Sequence, residues 1–142
     1  MSSLATKLCA LFAACLLIGC GAAGSEARDA RVTANQRIQG EWTLMNFQPE
    51  TPFEPVLQSL LALQLGSMVI TFDGAQVTGM GPGVSVRRRY EITEAYLDSV
   101  KLIVTDDTGA RYRGSGEFRG QEFLFSSHDS PWRGHGSLRR RR

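Results

Sequence analysis

No cysteine follows Cys20 in this 142-residue chain. The long remainder therefore cannot close an internal disulfide, and its fold must be held by packing and hydrogen bonds. A membrane-length apolar run is also missing. The run of apolar and small residues from Leu8 to Ile18 is shorter than the roughly 20 residues a spanning helix needs. Charge of one sign is scarce as well. The formal net charge is +2, and four of the positive charges form the terminal run Arg139 to Arg142. A body so balanced offers no basic footprint for nucleic acid. Histidine is limited to His128 and His135, whose spacing matches no zinc motif, so no metal or cofactor is expected.

What is present begins with an export signal. Lys7, the apolar run and the small residues after it have the order of a secretory leader. Leu17-Ile18-Gly19-Cys20 resembles the lipobox of bacterial lipoproteins. The resemblance implies removal of residues 1–19, a diacylglyceryl thioether on Cys20 and acylation of the new N-terminus. Membrane contact would then run through the lipidated Cys20. Each buried CH₂ contributes about 0.8 kcal/mol, so two or three acyl chains hold firmly. Gly21 after the cysteine implies, by the same resemblance, the outer membrane of the cell envelope. Residues 20–35 are small, polar and charged without apolar periodicity, and are expected to form a flexible tether with an r.m.s. reach of about 20 Å.

From residue 36 the texture changes, and 36–142 reads as one domain. GEWTLMNF (Gly40 to Phe47) is a strand candidate. Thr51 and Glu54 imitate a capping box, but Pro55 lacks the N–H needed there, so a helix is expected from Pro55, with Pro in its first turn. Val56, Leu57, Leu60, Leu61 and Leu65 give that helix an apolar stripe, and Gly66 ends it. The stripe is expected to pack on a sheet; a mobile lid is the alternative. Short strand-like runs follow at Ser67 to Phe72, Ala75 to Met80, Val84 to Ile92, Val100 to Thr105, Arg111 to Phe118, Gln121 to Ser127 and Gly134 to Arg140, with Asp73-Gly74 and Arg119-Gly120 as turns. The expected fold class is all-β with one short helix, an antiparallel up-and-down barrel of about eight strands.

Gly40-Glu41-Trp42 resembles the G-x-W signature of lipocalins and lipocalin-like domains. In that family the tryptophan closes one barrel end against an arginine of the last strand. Gly40, Trp42 and Arg140 are matched to this closure. Arg140 is chosen because it shares a face with Leu138 at period 2, with Arg139 the other option.

Strand geometry splits the run Arg87-Arg88-Arg89. Val84, Val86, Arg88, Tyr90 and Ile92 fall on one face, which would point Arg88 into the barrel. There it is either an anchor for a ligand carboxylate or phosphate, a structural salt bridge, or turned outward by a bulge. Tyr112 and Phe118 share a face across Gly114 and Gly116, which read as a bent strand at a barrel corner or as room for a ligand. Arg88, Tyr90, Tyr112 and Phe118 are the candidate ligand residues. Ser127-His128-Asp129 are sequence neighbours, whereas triads converge from separate segments, so the stretch is expected to be a turn, with Trp132 over a barrel end. No catalytic residue is assigned and the chain is not expected to be an enzyme.

The expected function is binding of a small apolar or anionic amphipathic molecule in the envelope. The alternative is a filled barrel acting as a structural or interaction module on an envelope protein or on lipopolysaccharide, the latter through the arginine tail. Cys20→Ser should abolish incorporation of labelled palmitate and either release the protein from the membrane or leave it mis-processed. Unchanged acylation and sedimentation would contradict the lipobox reading.

Overall fold

The computed structural model describes residues 24–142. The leader, the lipobox and Cys20 lie outside them. Helix α1 (24–38) leads into strand β1 (Gly40–Pro49), helix α2 (Pro55–Gln64) and strands β2 (Val69–Asp73), β3 (Gln76–Gly81), β4 (Val84–Tyr96), β5 (Ser99–Thr105), β6 (Arg111–Arg119), β7 (Glu122–Ser127) and β8 (Gly134–Arg140). Every strand pairs antiparallel with its sequence neighbours, and β1 pairs with β8, so the eight strands close as an up-and-down barrel. The expected class is thus observed, with a second helix in addition.

That helix corrects the flexible tether. Residues 24–35 are helical, as part of α1. Alanine, glutamate and arginine are good helix formers, and Ala30, Ala34 and Ile38 line up every fourth residue. Ala34 and Ile38 are buried against the barrel end, Ile38 completely, whereas most of 24–33 is exposed.

Strand alternation sorts the barrel. Along β4 the outward positions Arg87, Arg89 and Glu91 are exposed, while Tyr90 and Ile92 are buried. A polar outside around an apolar inside is the reverse of a barrel that spans a bilayer. The β1–β8 register shifts between Leu44 and Asn46. One extra residue there changes the face of the strand, so Phe47 points inward after Trp42 and Leu44.

The end carrying α1 is closed. Trp42 is 1% exposed, its indole Nε1 donates to the Ile38 carbonyl at 2.8 Å, and the Arg140 guanidinium lies 4.1 Å over its ring. Trp42 and Arg140 are register partners. Arg140 Nη1 donates to the Gln39 carbonyl at 2.9 Å and Nη2 to that of Arg37. Gly40 takes φ +105°, a left-handed conformation that favours glycine, where the chain leaves α1 and enters the barrel beside this guanidinium. Arg139 points the other way and pairs with Glu122.

Phe123 packs on Trp42 and Phe118, with ring centroids 6.1 and 4.9 Å apart. Gly116 makes this possible, because a β-carbon there would collide with the Phe123 ring. The Arg139 to Arg142 run is therefore not a free cationic tail: two of its members belong to β8, and Arg141 pairs loosely with Glu41.

Arg140→Ala removes two charge-assisted hydrogen bonds and the cation–π contact. It should lower stability by about 2–4 kcal/mol. Arg139→Ala loses one surface ion pair and should cost less than about 1 kcal/mol. Urea unfolding of both variants checks this contrast; equal losses would contradict the closure described.

Candidate functional site

The other end of the barrel is hollow. Below α2 lies a cavity of about 460 Å³, within the range of small-molecule pockets. Val86, Leu102, Val104 and Phe125 form its walls, and Leu57, Leu60 and Leu61 of α2 form its roof. Phe53 and Trp132 stand at the mouth in an edge-to-face pair, ring centroids 5.6 Å apart.

β1 and β2 are neighbouring strands, and the connection between them lies over the open end. The connection starts at Pro49, forms α2, and turns at Gly66 (φ +78°). There the Gly66 N–H donates to the Leu44 carbonyl at 2.7 Å and the Leu44 N–H to the Met68 carbonyl at 3.0 Å. As expected, α2 starts at Pro55 without a side-chain cap from Glu54. Its apolar stripe does not pack closely on the sheet. Gln64 is its only buried residue, and Val56, Leu57, Leu60 and Leu63 are exposed.

Of the four candidate ligand residues, only Tyr112 lines the cavity. Its hydroxyl donates to Asp106 Oδ2 at 3.2 Å. The hydrogen bond to Asp106 raises the Tyr112 phenol's pKa, while Thr108, donating through its hydroxyl and N–H, lowers that of Asp106. Tyr90 and Phe118 lie at the closed end. The Tyr90 hydroxyl contacts Asn35 Oδ1 and Gln39 Nε2, both at 2.6 Å, and the Gly74 carbonyl at 2.8 Å. Burial pushes its phenol up. Phe118 is buried under the Arg37 guanidinium, 4.3 Å from the ring centroid.

Arg88 is not an unpaired cation inside the barrel. Its Nη1 sits 3.1 Å from Asp107 Oδ2 and 2.8 Å from the Arg87 carbonyl. The pairing of β4 with β5 begins at Arg89↔Thr105, so from Arg88 back to Val84 that side of β4 has no strand beside it. The long side chain meets the β5–β6 loop at this gap. This is the structural salt bridge among the expected alternatives.

The segment after β7 builds no triad from its sequence neighbours. His128 Nε2 lies 2.8 Å from Ser115 Oγ on β6, and Asp129 commits both carboxylate oxygens to Arg113. Trp132 stands over the mouth, edge-on to Phe53, while Arg133 bonds the His128 carbonyl.

A buried, cavity-lining polar residue that the sequence reading did not single out is Gln64. It lies seven residues after Leu57 and four after Leu60, a polar side chain on the apolar stripe, and that position was the available signal.

No protein-family model, curated protein or solved structure matches the chain. The class therefore rests on the geometry itself: a closed, eight-stranded, lipocalin-like barrel with one end plugged and an apolar cavity at the other.

Asp129 supplies a prediction at the rim. The Arg113 side chain first, then the Arg113 backbone N–H, hold its carboxyl down to about 2. A depressed folded-state pKa contributes stability above the unfolded carboxylate value of about 3.9, which is lost as pH falls toward about 2. Urea midpoints should fall over that window, and Asp129→Asn should flatten part of the fall; an unchanged acid profile would contradict the pairing.

Proposed function

We propose that the protein is an envelope lipoprotein, anchored through Cys20, whose barrel holds a small apolar or amphipathic molecule. The observation that carries the ligand reading is the cavity of about 460 Å³ walled by aliphatic and aromatic side chains. A close-packed interior holds few voids larger than a water molecule, and a large apolar void leaves its lining without contacts on one side. An apolar occupant restores them and covers Leu57 and Leu60.

The anchor reading rests on the lipobox resemblance and fits the placement of α1. The exposed stretch 24–33 would span about 15 Å as a helix and act as a stalk between lipid and barrel. This stalk joins the barrel at the closed end, opposite the mouth.

The protein should bind diphenylhexatriene saturably, with a rise in fluorescence. Val86→Trp, which places a larger side chain in the cavity, should abolish that rise while the closed end, followed by urea unfolding, stays intact. Undiminished binding by a folded Val86→Trp variant would contradict the proposal.

A further inference from the structure

Gln64 closes the last turn of α2, is 4% exposed and lines the cavity. Its Nε2 donates to the Pro82 carbonyl at 2.8 Å and to the Leu60 carbonyl at 3.3 Å. These two acceptors fix the orientation of the amide, since an oxygen turned toward them would have nothing to accept. Oε1 consequently lies on the far side, over Gly81, in space that a side chain at that position would fill. Among the described residues, it is the only buried side-chain nitrogen or oxygen without a hydrogen-bond partner. A buried acceptor with no donor is unfavourable, so it marks where a donor belongs.

We propose that Gln64 Oε1 is the polar anchor for the cavity's occupant, and that this occupant is an uncharged amphiphile whose head donates a hydrogen bond through a hydroxyl or N–H group. This rests on the cavity being a ligand site and narrows what it takes.

The charge distribution supports a neutral head. Arg88 is paired with Asp107, Arg113 with Asp129 and Arg133 with Glu50. An ionised carboxylate entering the mouth would meet no unpaired cation from this set and would pass the Asp106 carboxylate beside Tyr112. Burying it unpaired is far more costly than burying an alcohol that is hydrogen-bonded. It also offers no donor to Oε1. The volume admits about fifteen groups of water or methylene size, at ~30 Å³ for each water. An alkyl chain of medium length therefore fits. Oε1 has no exposed surface in this conformation. An occupant that donates to Oε1 therefore needs an outward shift of α2, whose other residues are exposed or half-buried.

The test uses the full chain carrying Cys20→Ser, which lacks the acylation site. Diphenylhexatriene has no hydrogen-bonding group and is bound first. It is then displaced at neutral pH by decan-1-ol, by decan-2-one (an acceptor only) and by decanoate. Decan-1-ol should displace it at concentrations about 3- to 10-fold lower than decan-2-one, the effect of one hydrogen bond. Decanoate should be weaker than decan-1-ol by about 10-fold or more. Gln64→Leu, whatever its own affinity for diphenylhexatriene, should lose the alcohol's advantage over the ketone, read as the ratio of their displacing concentrations. Gln64→Met, closer in shape to glutamine, should do the same and stands in if the leucine variant fails to fold. Decanoate competing as well as decan-1-ol, or an alcohol preference that survives in both variants, would overturn the proposal. Failure of diphenylhexatriene to bind at all would instead overturn the cavity reading beneath it.

Discussion

The Arg140 guanidinium lies over the Trp42 indole and donates to two carbonyls where α1 hands the chain to β1. This contact sets the rest of the architecture. It joins the last strand to the first, which an up-and-down barrel must do to leave no edge. It also gives a donor to carbonyls that the end of α1 would otherwise leave unpaired. Trp42, Phe123 and Ile38 then fill the space beneath. With no cysteine after Cys20, closure rests on this stack and on the β1–β8 ladder.

A barrel plugged at one end can leave the other hollow. Below, Trp42, Phe118 and Phe123 pack together, and the missing side chain at Gly116 lets the Phe123 ring lie close to the strand. Above them aliphatic and aromatic side chains line the walls and leave the centre open. The helix over this end has no charged residue and buries only Gln64. A tightly packed helix would seal the cavity; one fixed chiefly by Gln64 to Pro82 and by the turn at Gly66 covers it and can still give way. Stability and accessibility are thus assigned to opposite ends of one sheet.

Much of the scaffold was legible in the sequence because its signals are local. Period-2 alternation, Asp73-Gly74, Arg119-Gly120 and the proline at the start of α2 act through neighbouring residues, and strands and turns fall where they point. The choice of Arg140 over Arg139 came from the same alternation. The site was less legible, since it depends on where neighbouring strands end. Alternation put Arg88 on the inward face, but the end of β5 at Thr105 brings that guanidinium to Asp107. Tyr90 and Phe118 share faces with cavity residues, yet they lie farther along their strands, under α1. That helix was missed because its stripe, Ala30, Ala34 and Ile38, holds a single large apolar residue, and so weak a signal resembles a linker until a surface is there to receive it.

The central claim is that the hollow end exists to hold a molecule. Native mass spectrometry of the full-length protein, released gently from the membranes of the cells that make it, tests this most directly. The account predicts a population heavier than the acylated chain by the mass of one neutral, apolar compound, which is lost on collisional activation and recovered in an organic extract. A spectrum containing only the bare acylated chain, from a preparation that also fails to bind diphenylhexatriene, would contradict it.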